Sequence, residues 1–142
     1  MDLETVSASD FGQSLRGVGV NLLTTDVGKL AAFLVGVFDA VAHRISDDFA
    51  IVVFKGTILQ IHHDATYRAH PLLGLLPDNP PRGAGTQFFM FGVDPDIALA
   101  RAKEFGGTVL EPAQNKPHGL YEGTILSPEG YAFSPAVPTK DA

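Results

Sequence analysis

Two stretches of this chain gather the residue types that move protons or hold ions: LQIHHD at 59–64 and HGLYEG at 118–123. Imidazole titrates near neutrality, and it donates to borderline cations alongside carboxylate. Histidine near an acid therefore points to a divalent-metal site or to general acid/base work. The chain has no cysteine, which removes disulfides, thiolate ligands and a cysteine nucleophile together. In an extended segment adjacent side chains point to opposite faces. His62 and His63 therefore cannot grip one ion together, and HHD is not a chelate by itself. His62 shares the face of Gln60, while His63 points the other way. In the second stretch Tyr121 and Glu122 precede a strand and are placed to close over a ligand. Glu122 or His118 is the candidate for proton transfer, against the plainer reading of an exposed loop.

The elements that must position these residues follow from the hydrophobic pattern. MDLETVSASD reads as a loose lead-in, and GVGVNLLTTD (17–26) as a strand. Leu30, Phe33, Leu34, Val37, Phe38 and Val41 fall at i, i+3, i+4, i+7, i+8 and i+11, one face of a helix, with Thr25 or Asp26 placed to cap it. AVAHRIS (40–46) reads as a strand, and DFAIVVFKGTILQIHH (48–63) as a hairpin turning at Lys55-Gly56. The run AIVVF lacks alternation, which implies cover on both faces. A Pro/Gly-rich connector spans about 69–85. Then the pattern restarts. TQFFMFGVD (86–94) is a strand, and Asp94-Pro95 opens a helix with Ile97, Ala98, Ala102 and Phe105 inward and a stop at Gly106. TVLEPA (108–113) is a strand, and GTILSPEGYAFSPAV (123–137) is a hairpin turning near Glu129-Gly130.

Strand, helix, strand and hairpin thus occur twice, offset by about 68 residues; Asp26 to Val41 and Asp94 to Val109 both span 15 positions. The fold class is α+β, in two modules of about 16–68 and 86–138. Each half alone leaves a sheet face bare, so the halves are expected to form one domain: a curved sheet with helices outside and a cup within.

Bulk properties bound the function. A net charge of −6 with no basic run offers nothing to a phosphate backbone, so nucleic acid is excluded as partner. The acidic start lacks the form of a secretion signal. The apolar stretch at 30–42 is too short to span a membrane and contains Asp39. A cytoplasmic protein without membrane partners is expected. Phosphate-binding loop, zinc-protease pair and nucleophile elbow are all missing.

NLLTTDVGKLAAFLVGVFDA (21–40), FGVDPDIALARAKEFGGTV (91–109) and GTILSPEGYAFSP (123–135) together resemble, in order and spacing, the vicinal oxygen chelate superfamily of glyoxalase I, bleomycin-resistance proteins and extradiol dioxygenases. The resemblance runs from about residue 16 to 138 and implies paired βαβββ modules around a cup. It also implies four metal-ligand slots, which map onto Gly19, Gln60, Phe88 (or Gln87, one register step away) and Ser134. A divalent ion needs several imidazole or carboxylate donors. Glycine and phenylalanine donate nothing, serine is a poor ligand, and Gln60 cannot hold an ion alone, so no metal or other cofactor is expected. Asp39 also departs from the pattern, standing where the family usually has glycine.

The candidate pocket is Gly19, Asn21, Gln60, His62, Phe88, Met90, Tyr121, Glu122 and Ser134. Gly19 either leaves room for a bulky ligand or serves strand bending. Phe88, Met90 and Phe133 form an apolar wall or simply core. Arg44 and Arg68 are possible anion contacts that nothing in the sequence ties to the cup. The expected function is sequestration of an apolar or amphipathic small molecule, in the manner of the bleomycin-resistance branch. The alternatives are a metal-dependent glyoxalase- or dioxygenase-like enzyme, and a metal-free lyase or isomerase using His62 or Glu122. The resemblance further implies a homodimer.

Overall fold

The computed structural model describes residues 1–77 and 81–140, so residues 78–80 in the middle of the expected connector lie outside it. The chain divides into two compact units, residues 1–35 with 39–74, and residues 36–38 with the chain from 75 onward.

The first unit opens on an unexpected element. Where a loose lead-in was expected, Ala8–Ser14 forms helix α1, capped by Ser7, whose hydroxyl accepts from the Asp10 amide at 3.0 Å. Its one buried residue is Phe11. A single apolar residue among polar ones leaves no periodicity to read. Then follow β1 (Val20–Thr24), α2 (Val27–Phe38), β2 (Val41–His43), β3 (Phe49–Phe54) and β4 (Thr57–His63). The sheet order is β1-β4-β3-β2, with β1 parallel to β4 and the other pairs antiparallel.

Helix α2 follows its pattern. Leu30, Phe33, Leu34, Val37 and Phe38 are all buried, and the Asp26 carboxylate accepts from the Lys29 amide at 3.0 Å. Val41 is the exception, lying in β2 and exposed. The helix has already ended at Asp39, whose φ of 57° is left-handed. Aspartate tolerates that region better than most residues, which accounts for an acid where glycine was the expectation. The β3–β4 hairpin turns at Lys55-Gly56, both with positive φ (45° and 82°), as a type I′ turn requires. Burial across Ala50, Ile51 and Val52 matches the missing alternation.

In the second unit the order is β5 (Gln87–Phe91), α3 (Pro95–Ala102), β6 (Thr108–Asn115), β7 (Leu120–Leu126) and β8 (Ala132–Pro138). Its sheet runs β5-β8-β7-β6, with β5 parallel to β8. Each sheet therefore orders its own strands first, fourth, third, second, so the repeat read in the sequence is a repeat of topology. Asp94 caps α3, its carboxylate accepting from the Asp96 amide at 2.9 Å. Ala98 and Ala102 are buried as expected, but Ile97 is exposed. The helix gives way after two turns to a 3₁₀ turn at Lys103–Phe105, so the face extrapolated from Ile97 is not sustained.

β8 is an inner strand and contains Pro135. Proline has no N–H to give to a ladder. The β7–β8 pairing accordingly stops at Glu122↔Ala136 and resumes at Ile125↔Phe133. Across this gap Thr124 and Ser134 meet through their hydroxyls at 2.9 Å.

No helix among the described residues is long and apolar enough to cross a membrane.

Candidate functional site

Residues directly opposite in a sheet share a face. Asn21 pairs with Gln60, Gln60 with Ile51, and Phe49 with His62. One face of the first sheet therefore carries Asn21, Phe49, Ile51, Gln60 and His62. The opposite face buries Leu22, Ala50, Val52, Leu59 and Ile61.

A cleft of about 760 Å³ opens on the Gln60/His62 face. Its floor is Phe49, Gln60 and His62, its far wall is Phe11 of α1 with Leu15 just beyond the helix, and its rim is Arg44, Ile45 and Ser46. A neighbouring cleft of about 620 Å³ lies between the 14–19 segment and Gly56–Ile58, and it contains Gly19. Leu15 and Gln60 line both. This size and mixture suit a small organic molecule held mainly by apolar contact and oriented by a few polar groups.

His62 sits in an aromatic row, 5.0 Å from the Phe49 ring and 5.5 Å from Tyr67, both edge-on; Tyr67 in turn lies 5.1 Å from His70. Burial lowers the His62 pKa below its usual value, so the imidazole is neutral at pH 7 and can donate or accept one hydrogen bond to a ligand. Asn21 Nδ2 donates to the Tyr67 hydroxyl at 2.7 Å, which fixes the ring beside His62. His63 has a different task. Its Nδ1 accepts from the Ala65 amide at 3.0 Å, and its carbonyl accepts from Thr66 Oγ1 at 2.8 Å. These bonds cap the 3₁₀ turn Asp64–Tyr67 that delivers Tyr67. One histidine of the pair faces the cleft and the other builds the turn behind it.

In the second unit Gln87 Nε2 donates to Ser134 Oγ at 2.8 Å, and Ser134 also meets Thr124. Glu122 pairs with Ala136, two residues from Ser134, so Gln87, Glu122, Thr124 and Ser134 share one face. Glu122 is only 3% exposed, and its Oε1 makes a short contact with Nε2 of the exposed His118.

Three expected pocket residues do not join this row. Phe88 and Met90 pair with Phe133 and Pro135, which places them on the opposite face, where Phe88 stacks on Phe133 at 5.2 Å. Gln87, the alternative one register step from Phe88, is the β5 residue that stands beside Ser134. Tyr121 pairs with Val137, and its hydroxyl donates to Asp96 at the start of α3 at 2.6 Å. That bond raises the Tyr121 pKa and, with Lys140 Nζ at 3.0 Å, lowers that of Asp96. It is a surface clamp on the α3 side.

Of the residues expected at metal-ligand positions, Gly19 and Gln60 lie in the first unit and Gln87 and Ser134 in the second. Taken by itself neither set fits a divalent ion: the first unit offers a glycine and one neutral amide, and the second a neutral amide and a hydroxyl that already satisfy each other. Among the described residues no group of three or more His, Asp or Glu side chains is arranged to hold a metal. Sequence reasoning missed Phe11, Phe49, Tyr67 and Arg44 as neighbours of Gln60 and His62. Only Phe49 carried a signal, since it stands two strand positions from Ile51, across from Gln60.

No family model matches the chain, and no curated protein matches it. Solved structures do. A glyoxalase/bleomycin resistance protein/dioxygenase family enzyme from Burkholderia phytofirmans PsJN aligns with TM-score 0.71 and 18% identity, over 84% of this chain and 95% of that one. A glyoxalase-related enzyme from Fulvimarina pelagi aligns with TM-score 0.69 and 19% identity, over 87% and 88%. A glyoxalase/bleomycin resistance protein/dioxygenase from Nocardioides aligns with TM-score 0.64 and 17% identity, over 94% of each chain. The chain has the fold of these proteins.

Proposed function

We propose that this chain belongs to the superfamily whose fold it has, and that it binds an apolar or amphipathic small molecule, without the metal of the catalytic members, on the Gln60/His62 face. The observation that carries this reading is the cleft itself. Phe11, Leu15, Ile45 and Phe49 supply apolar surface beside two neutral polar groups, Gln60 and His62. Its charged lining residues engage each other's neighbourhood, Glu4 with His43 and Arg44 with the Val6 carbonyl. An uncharged or weakly charged ligand therefore meets little unbalanced field.

The reading is tested by thermal shift with a panel of apolar and amphipathic compounds. A binder at about a hundred times its dissociation constant adds about 2.7 kcal/mol, a rise of about 5–10 °C for a chain of this size. Gln60→Ala and His62→Ala should each weaken binding by about threefold to tenfold, the worth of one hydrogen bond. Affinities unchanged in both variants would remove these residues from the site.

Native mass spectrometry of protein purified without chelator checks the remaining features. The expected spectrum shows a homodimer without a stoichiometric divalent ion. One ion per chain would overturn the metal-free reading in favour of a glyoxalase- or dioxygenase-like enzyme.

A further inference from the structure

The far wall of the cleft is not built from the repeated modules but from the arm that precedes them. We propose that residues 4–15 form a hinged lid over the cleft, latched at Glu4 and swinging on Gly17–Gly19, so that exchange of the bound molecule follows release of the latch. The proposal rests on reading this cleft as the ligand site.

Three observations carry it. The arm is anchored at Phe11, the single buried residue of α1, which with Glu4, Ala8, Gly12 and Leu15 lines the cleft. A helix of seven residues is too short to hold itself together in water, so α1 persists through its contacts with the cleft and its latch. The latch lies at the arm's beginning. Glu4 Oε1 meets His43 Nδ1 at 3.2 Å, the Arg44 amide donates to Glu4 Oε2 at 3.1 Å, and the Arg44 guanidinium donates to the Val6 carbonyl. Arg44 reaches all this from a left-handed backbone, φ 53°, a conformation uncommon for a side chain of its kind.

The hinge lies at the other end. Gly17 has φ +74°, and a Cβ added at Gly17 or Gly19 would meet nothing within 4 Å. Val18 between them is 92% exposed. The segment therefore has conformational freedom and no packing to restrain it. A short element held at one seat and one latch, with an open glycine pair behind it, is the kind of region that opens locally while the sheet stays folded.

The absence of native cysteine allows a test that needs no ligand. A His62→Cys thiol on the cleft floor, at a position that lines this cleft and not its neighbour, is reacted with an aromatic disulfide reagent, in the Glu4-intact chain and with Glu4→Ala or Glu4→Gln added. When the lid recloses faster than the thiol reacts, the rate follows the open population. Loss of the latch should raise it about fivefold, the worth of a hydrogen bond. A Thr108→Cys thiol, on an exposed strand of the other unit, should react at the same rate in all backgrounds.

Unchanged labelling at His62→Cys in both latch variants overturns the lid. So does equal acceleration at both thiols, which would mean general loosening. Accelerated labelling in a protein that binds none of the compounds tested by thermal shift would keep the lid and defeat the binding reading. The two ideas thus fail separately.

Discussion

Truncating Phe133 to alanine is expected to lower stability by about 3–5 kcal/mol, the usual cost of emptying a phenylalanine site in a packed core. Phe133 is fully buried, 5.2 Å from the Phe88 ring and 5.7 Å from Phe38. Removing it takes away apolar area and leaves two rings facing a void that neighbouring strands are too constrained to close. For a chain of this length the melting temperature should fall by about 10 °C or more. Urea unfolding with an unchanged slope would show that the loss belongs to the native state. A loss below about 1 kcal/mol would mean that these rings do not form the core of the second unit.

Gly130→Ala should cost about 2–5 kcal/mol for two separable reasons. The backbone has φ +91°, which costs a residue with a Cβ about 1–2 kcal/mol. The added Cβ would also stand 2.5 Å from Pro81 Cα, and relief of such overpacking typically costs another 1–3 kcal/mol. The contact is with backbone, so no side-chain rotation removes it. Around it the connector is tied down: the Arg82 amide donates to the Glu129 carbonyl at 2.9 Å, the Gly83 amide to the Gly130 carbonyl at 3.3 Å, and Arg82 pairs with Glu129. Gly56→Ala is the control, with φ +82° but nothing within 4 Å of its Cβ. It should show only the conformational part. Equal losses at the two positions would rule out the contact with Pro81 as a cause.

These two sites also mark what the sequence could and could not reveal. The turn at Glu129-Gly130 was legible because glycine between two apolar runs has few other meanings; that Pro81 packs against it depends on a contact some 50 positions distant. Helix α2 and the Lys55-Gly56 hairpin were legible because their periods and turn residues are local properties. The face of β5 was not. QFFMF is apolar nearly throughout, so only pairing with β8 decides that Gln87 rather than Phe88 stands beside Ser134. That His62 and His63 point to opposite faces followed from strand alternation alone; that His63 caps the Asp64–Tyr67 turn did not. The other neighbours of His62 come from a polar arm and a 3₁₀ turn, neither of which carries a hydrophobic period.

β2 is the outer strand of its sheet and runs for three residues, Val41–His43, before Arg44 turns left-handed. A border strand ordinarily offers a row of unpaired amides and carbonyls that invite a foreign chain to add itself. Here the row is too brief to serve as such a template, and its one onward amide, that of Arg44, is spent on Glu4. The geometry that seats the arm thereby also guards this margin of the protein against unwanted self-association.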